Sequence, residues 1–132
     1  MNPDIENREE RRLEEGRLER RRGHRRGLNA EWIVAALLVV TGHRILERRF
    51  KTPVGEIDII ALKGSRIAIV EVKRRSTSED CEAAITPMLR QRVHRAADLW
   101  LARNPNFQRH DIGFDLIFVV PWRFPIVMRD AL

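Results

Sequence analysis

Residues 55–75 read GEIDIIALKGSRIAIVEVKRR. Two runs rich in Ile and Val flank the turn signal Lys63-Gly64-Ser65-Arg66, a pattern that reads as a β-hairpin. A two-residue Gly64-Ser65 loop, glycine first, suits a type II′ turn and fixes the register. Lys63 then faces Arg66, Leu62 faces Ile67, Ile60 faces Ile69 and Asp58 faces Glu71. Side chains alternate along a strand, so Lys73 shares the face of Glu71, and Glu56 lies across from Lys73. Directly opposed residues hold their Cβ atoms about 4.5–5.5 Å apart, and like charges so placed repel. A proton, the lysine or a metal cation has to offset that repulsion.

A carboxylate pair in a partly buried place has a raised pKa unless a cation neutralises it. An oxygen-rich site with no Cys or His nearby favours a hard ion, Mg²⁺ or Mn²⁺ over Zn²⁺. The expected ligands are Asp58, Glu71 and the carbonyl of Val72, completed by water and substrate phosphate. A cation there polarises a phosphodiester and lowers the pKa of a bound water. Lys73 is placed to hydrogen-bond that water or to neutralise charge on the phosphorane. The plain alternative is a structural salt-bridge group at a sheet end, since ion networks also cluster charges.

Outward from the hairpin, the elements follow from periodicity and punctuation. Upstream, Ala30–Thr41 (AEWIVAALLVVT) reads as an apolar helix with Asn29 as N-cap and Gly42 as C-cap. Glu31 in its first turn complements the helix dipole. His43–Lys51 reads as a strand anchored by Ile45 and Phe50, and Thr52-Pro53-Val54 breaks it. Downstream, residues 76–80 form a polar loop. Thr86-Pro87 then starts a helix, Thr as N-cap and Pro at the first helical position. It runs to about Arg103, with Leu89, Val93, Ala96 and Trp100 as its buried stripe. Ile112–Val120 is a nearly continuous apolar run, as for a strand buried on both faces. Trp122, Phe124, Ile126 and Val127 read as core packing or an edge strand rather than a nucleobase platform. The order is helix, three strands, helix, strand, which implies an α/β fold with a mixed sheet flanked by helices.

Residues 1–26 differ from everything after them. They are dominated by Arg and Glu, too poor in apolar side chains to fold alone. Pairs such as Glu9–Arg12 support a solvated helix. The expectation is an extension, residues 1–26, solvated or disordered, ahead of one domain, residues 27–132. A basic arm that lies on phosphates, with Arg25 and Arg26 at its end, is the sharper reading.

The chain has 132 residues and a formal net charge of +6, which suits an anionic partner, nucleic acid first. Arg74, Arg75, Arg92 and Arg95 are the further candidate phosphate contacts. The single Cys81 excludes an internal disulfide and a multi-cysteine metal site. His24, His43, His94 and His110 show no metal-ligand spacing. No segment approaches the roughly 18 apolar residues of a membrane span, and the charged N-terminus has no signal-peptide core, so a cytoplasmic protein without a membrane partner is expected.

Asp58, followed thirteen residues later by Glu71-Val72-Lys73, resembles the D…ExK pattern of the PD-(D/E)xK, or restriction-endonuclease-like, nuclease superfamily. GEIDIIA followed by IVEVKRR, the upstream Gly27…Ala30-Glu31 helix, Gly42 and a later Gly-Phe-Asp115 strand resemble the bacterial YraN-like family of candidate endonucleases, from Gly27 to the C-terminus. The resemblance implies an α-β-β-β-α-β core and catalytic roles for Asp58, Glu71 and Lys73. It gives Glu31 the place of the acidic residue that many members hold beside the metal. It implies a Mg²⁺- or Mn²⁺-dependent endonuclease acting on DNA, with branched or single-stranded forms as candidate substrates. A homodimer would suit cleavage of two strands. A nucleic-acid-binding module that keeps the fold without catalysis is the alternative. Two positions depart from the family: Leu89 stands where a lysine is usual early in the second helix, with Arg90 and Arg92 nearby, and Gly113 stands where an arginine is usual before Phe-Asp. Those contacts are lost or moved to other arginines.

Overall fold

The computed structural model describes residues 3–77 and 81–132, with the side chains at 3–7, 19, 21–28 and 82 outside the description. The elements are α1 (Pro3–Val40), β1 (Arg44–Thr52), β2 (Gly55–Lys63), β3 (Arg66–Arg74), α2 (Pro87–Arg103), β4 (Asp111–Val119) and β5 (Ile126–Met128). The strands lie in the order β1-β2-β3-β4-β5. β1, β2 and β3 form an antiparallel meander, β4 joins β3 in parallel, and β5 returns antiparallel along β4. α2 is the crossover that a parallel β3–β4 pair requires. The mixed α/β architecture expected from the sequence is the one observed.

Alternation along β3 sorts the core into two layers. Ile67 and Ile69 pack with Val93, Ala96 and Trp100 of α2. Ala68 and Val70 pack with Val34, Ala35 and Leu38 of α1. Ile69 and Val70 are wholly enclosed, each contributing about 1.5–3 kcal/mol of burial. The next residues on the α2 face of β3 are Glu71 and Lys73, so the apolar stripe runs directly into the charged group.

The local signals held at most element ends. Lys63 pairs with Arg66 across the turn, and Gly64 alone of the loop pair has a positive φ, 61°, as a type II′ turn requires. Gly42, at φ 94°, closes α1. Its N–H donates to Val39 O, and His43 N–H donates to Leu38 O at 2.8 Å, the paired bonds of a Schellman cap. Thr86 Oγ1 accepts from Leu89 N–H at 3.1 Å and caps α2. Gly55 admits a close approach: a Cβ there would stand 2.2 Å from the carbonyl oxygen of Arg92. That contact presses the start of β2 against α2.

Three expectations fail. Asn29 is not an N-cap, because α1 runs unbroken through it from Pro3. Glu, Arg and Leu are strong helix formers, and they carry the helix upstream. The described side chains from Arg8 to Arg20 stand out in solvent apart from half-buried Gly16, and the 26/27 boundary falls inside α1. Trp122 and Phe124 are not core: they are 103% and 91% exposed. Pro121 and Pro125 bracket them, so the chain leaves the sheet after β4 and rejoins it only at Ile126, which pairs with Phe118 as an edge strand. Cys81, directly after the stretch expected to be a polar loop, is not in solvent but buried with Leu116, Phe118 and Val120. Three histidines pack or bond locally, as expected: His94 stacks on Phe114, His110 meets Phe107 edge-on, and His43 Nδ1 lies by Thr41 Oγ1. His24 lies among the undescribed side chains. No helix among the described residues is long and apolar enough to cross a membrane.

Candidate metal and phosphodiester site

The β2–β3 ladder is regular from the turn as far as Ile59–Val70. The expected next pair, Asp58–Glu71, is not a ladder pair. Instead Asp58 Oδ2 accepts from Val72 N–H at 2.7 Å. On the other side β1 pairs Arg48 with Ile59 and Phe50 with Ile57, leaving Asp58 opposite Arg49, which has φ 54°. A non-glycine residue in that region costs of order 1–3 kcal/mol and needs its surroundings to hold it. The sheet therefore opens at Asp58 on both sides. The side chains still gather as the register implies: Glu56, Asp58, Glu71 and Lys73 line a cleft of about 200 Å³, walled by Leu89, Arg92 and Val93 of α2.

Glu71 lies between two neighbours of opposite effect. Lys73 Nζ is 3.3 Å from Glu71 Oε1, which favours the ionised form. Burial and the charge of Asp58 oppose it and win, pushing the Glu71 carboxyl up to about 8. Burial also raises Asp58, against the Val72 N–H, the hydrogen bond shared with Glu71 and the charge of Lys73. Ion-pair geometry alone would make Glu71 a simple salt-bridge partner. Its depth in the protein argues otherwise, because one lysine, itself partly in solvent, cannot neutralise two enclosed carboxylates.

α1 brings Glu31 close enough to feel the charge of Asp58, but Glu31 is not among the residues that line the cleft. Its carboxyl is raised by burial and then by the charge of Asp58, against Arg49 and Arg48. Glu31 Oε2 is 3.1 Å from Arg49 Nε but lacks the alignment of a hydrogen bond, and it is buried with no hydrogen-bond partner. Arg49 thus joins Glu31 at the backbone irregularity beside Asp58. The sequence offered no signal for it beyond one more basic residue in a strand.

These residues fit a hard cation in part. Among the described residues no three His, Cys, Asp or Glu side chains converge as a ready ligand set. Asp58 and Glu71 together make a two-carboxylate site, which is what Mg²⁺ commonly uses while it keeps several waters. The repulsion within the pair is the feature a cation would relieve.

The candidate arginines separate. Arg92 lines the cleft. Arg75 lines an adjoining hollow with Lys73, Thr86 and Arg92. Arg74 turns to the α1 face, beside Ile33 and Trp122. Arg95 is exposed and lines none of these hollows. Arg25 and Arg26 have side chains outside the described residues. Leu89, at the family's lysine place, does line the cleft, and Arg92 rather than Arg90 supplies a cation there: Arg90 reaches toward the Ala131 carbonyl instead. At the other departure, Gly113 leaves room for Arg66, whose guanidinium lies 1.8 Å from where a Cβ would stand. Arg66 makes two bonds to buried Asp115, at 2.9 and 2.8 Å. An arginine thus does stand over Gly113, but it comes from β3.

A model described as "Uncharacterised protein family UPF0102" matches residues 30–119, from the apolar part of α1 to the end of β4. A UPF0102 protein of Chelativorans sp. is 46% identical over 116 residues, covering 88% of this chain and 94% of that one. One of Mesorhizobium japonicum is 41% identical over 112 residues, covering 85% and 90%. One of Rhodopseudomonas palustris is 48% identical over 99 residues, covering 75% and 76%. The matched span holds Glu31, Asp58, Glu71 and Lys73 and begins after the Arg/Glu-rich part of α1; the chain belongs to the uncharacterised, YraN-like protein family UPF0102.

Proposed function

We propose that the chain is a divalent-metal-dependent phosphodiesterase that cleaves DNA. The observation that carries the reading is the half-buried Asp58–Glu71 pair, raised in pKa, beside Lys73 where the β2–β3 ladder ends. Asp58, Glu71 and the Val72 carbonyl would hold Mg²⁺ or Mn²⁺, which when bound supplies Lewis-acid polarisation of the phosphodiester. Glu71, which holds a proton near neutrality without metal, would have to give it up to serve as a ligand. Lys73 orients the attacking water by hydrogen bonding and offsets the charge that grows on the phosphorane oxygens. Glu31 shapes the field on Asp58, and Arg92 and Arg75 hold phosphates on either side of the cleft. Water oxygen bonds to phosphorus as one ester oxygen leaves and takes up a proton.

The test is a cleavage screen on linear, flapped and four-way DNA with Mg²⁺ or Mn²⁺. Wild type should cut, and Glu71→Ala should lose about a thousandfold or more, in the range of a major transition-state group. Intact DNA on every substrate with both metals would overturn the reading. A metal-only arm is independent of turnover. Mn²⁺ at about 100 times its Kd should stabilise wild type by about 2.7 kcal/mol and leave Asp58→Ala unmoved. The second reading is a DNA-binding module without catalysis. Leu89 in the cleft at the place of a lysine, and no third converging acidic ligand among the described residues, favour it. It predicts salt-sensitive binding that survives Glu71→Ala, with no cleavage.

A further inference from the structure

At the same end of the sheet, on its α1 face, a hollow of about 240 Å³ lies between α1 and the loop that joins β4 to β5. Its walls include Ile33, Val119, Pro121 and Trp122, with the guanidinium-bearing Arg74 and Arg123. Among the described residues no acidic side chain lines it. Trp122 and Phe124 project fully into solvent, with Arg123 between them in sequence. Trp122 has φ 63°, a conformation rare for a bulky residue, and prolines on both sides restrict the loop. Two large rings are thus held outward by a stiff, strained segment, while the apolar residues of β4 beside them turn inward. Arg74 lines this hollow, and Lys73, the residue before it, lines the cleft on the other face. The hollow and the cleft are two sides of one strand end.

We propose that this hollow receives an unpaired nucleobase stacked on Trp122, with Arg74 and Arg123 on the adjoining phosphates, so that the protein engages single-stranded DNA: a flap, a gap or a frayed end. A polyanion with π faces matches the walls better than a protein surface does. Among the described residues the hollow offers apolar and aromatic contact together with two arginines, and stacking on exposed rings beside a basic track is how sequence-tolerant single-strand binding works. Bases inside a duplex are already stacked and cannot reach the ring. The idea rests on the phosphodiesterase reading only for what happens to the strand afterwards; binding itself stands apart from it.

The test uses the full chain in EDTA, so no cleavage intervenes. The probes are oligo-dT of about 12 nucleotides, within the usual span of such sites, and a duplex of equal length. Wild type should bind oligo-dT with quenching of tryptophan fluorescence. Trp122→Ala should weaken oligo-dT binding about tenfold and change duplex binding by less than about twofold, and Trp122→Phe should restore most of the loss. Arg74→Ala should lower the slope of log affinity against log salt by about one. Equal effects of Trp122→Ala on both probes, or none on oligo-dT, would overturn the proposal. So would a dimer in sedimentation that Trp122→Ala converts to monomer, because the rings would then cover a second copy. Quenching with no cleavage by wild type in Mg²⁺ or Mn²⁺ would sink the phosphodiesterase reading and leave this one standing.

Discussion

Carboxylates lie near both ends of the β2–β3 hairpin, a buried one from β4 at the turn end and a half-buried pair at the open end, and the two groups are handled in opposite ways. At the turn end, Asp115 of β4 meets Arg66 through two hydrogen bonds and also accepts from Asp130 N–H at 2.9 Å. Burial pushes its carboxyl up, but Arg66 and the Asp130 N–H outweigh burial, and the net shift is down. At the open end, Asp58 and Glu71 share one lysine, burial wins, and both carboxyls rise. Asp115 has partners for both oxygens. With both carboxyls ionised, the open-end pair would carry more negative charge than its surroundings neutralise, and a proton is retained instead. A fully partnered buried charge holds structure together, whereas a surplus of one sign beside a cleft is what a bound cation would balance.

The largest expected difference is in stability. Asp115→Ala strips Arg66 of its buried counter-charge and the Asp130 N–H of its acceptor, and should cost about 3 kcal/mol in urea unfolding at neutral pH. Glu71→Gln replaces a carboxyl that already holds its proton near neutrality with a neutral amide of similar shape, and in EDTA should cost little or stabilise. If Asp115→Ala proved the milder of the two, the contrast between a structural pair and a charged site would collapse.

The two ends should also oppose each other in pH. Glu71 keeps its proton up to about 8 in the folded chain, while the unfolded chain releases it near the ordinary value of about 4.5. The group's contribution to stability is therefore whole below the unfolded value and is lost as pH rises through about 8. Asp58 shifts in the same direction. Asp115, lowered when folded, contributes above its unfolded value and loses that contribution as pH falls through the depressed one. Metal-free wild type should weaken toward pH 9. Glu71→Gln should exceed it there by roughly 2 kcal/mol, less than the full linkage figure because Glu71 and Asp58 titrate together. The two should converge below about pH 5. An alkaline limb identical in variant and wild type would mean that Glu71 ionises normally.

Much of the fold was readable because its signals are local. The Gly64 turn, the Gly42 cap, the Thr86 cap and the two-sided burial of β4 each need only a few neighbouring residues. The juxtaposition of Asp58, Glu71 and Lys73 was readable because a two-residue turn propagates its register along both strands. The opening of the ladder at Asp58 was not readable. It depends on an acidic side chain taking a backbone donor and on Arg49 adopting a left-handed conformation, and both are set by tertiary surroundings. Glu31 reached the site only through family resemblance, since nothing in the helix pattern says what its first turn will touch. The reach of Arg66 over Gly113 was hidden for a similar reason: a glycine in a strand shows that something comes close, but not which residue. Trp122 and Phe124 misled because apolar character usually implies burial, and only the path of the chain between two prolines shows that they are outside.

The smallest expected effect divides arginines that look alike in sequence. Arg92 and Arg95 lie one helical turn apart on α2, and both are exposed. Only Arg92 lines the cleft, held there because Gly55 lets β2 press on its backbone carbonyl. Each phosphate contact releases counterions, so losing one lowers the slope of log affinity against log salt by about one. Arg92→Ala should show that drop on DNA, with a few-fold weaker binding at physiological salt. Arg95→Ala should retain the wild-type slope. Equal losses would mean that DNA reads the basic field of α2 as a whole, and the cleft would then lose its claim to direct the strand past Glu71 and Lys73.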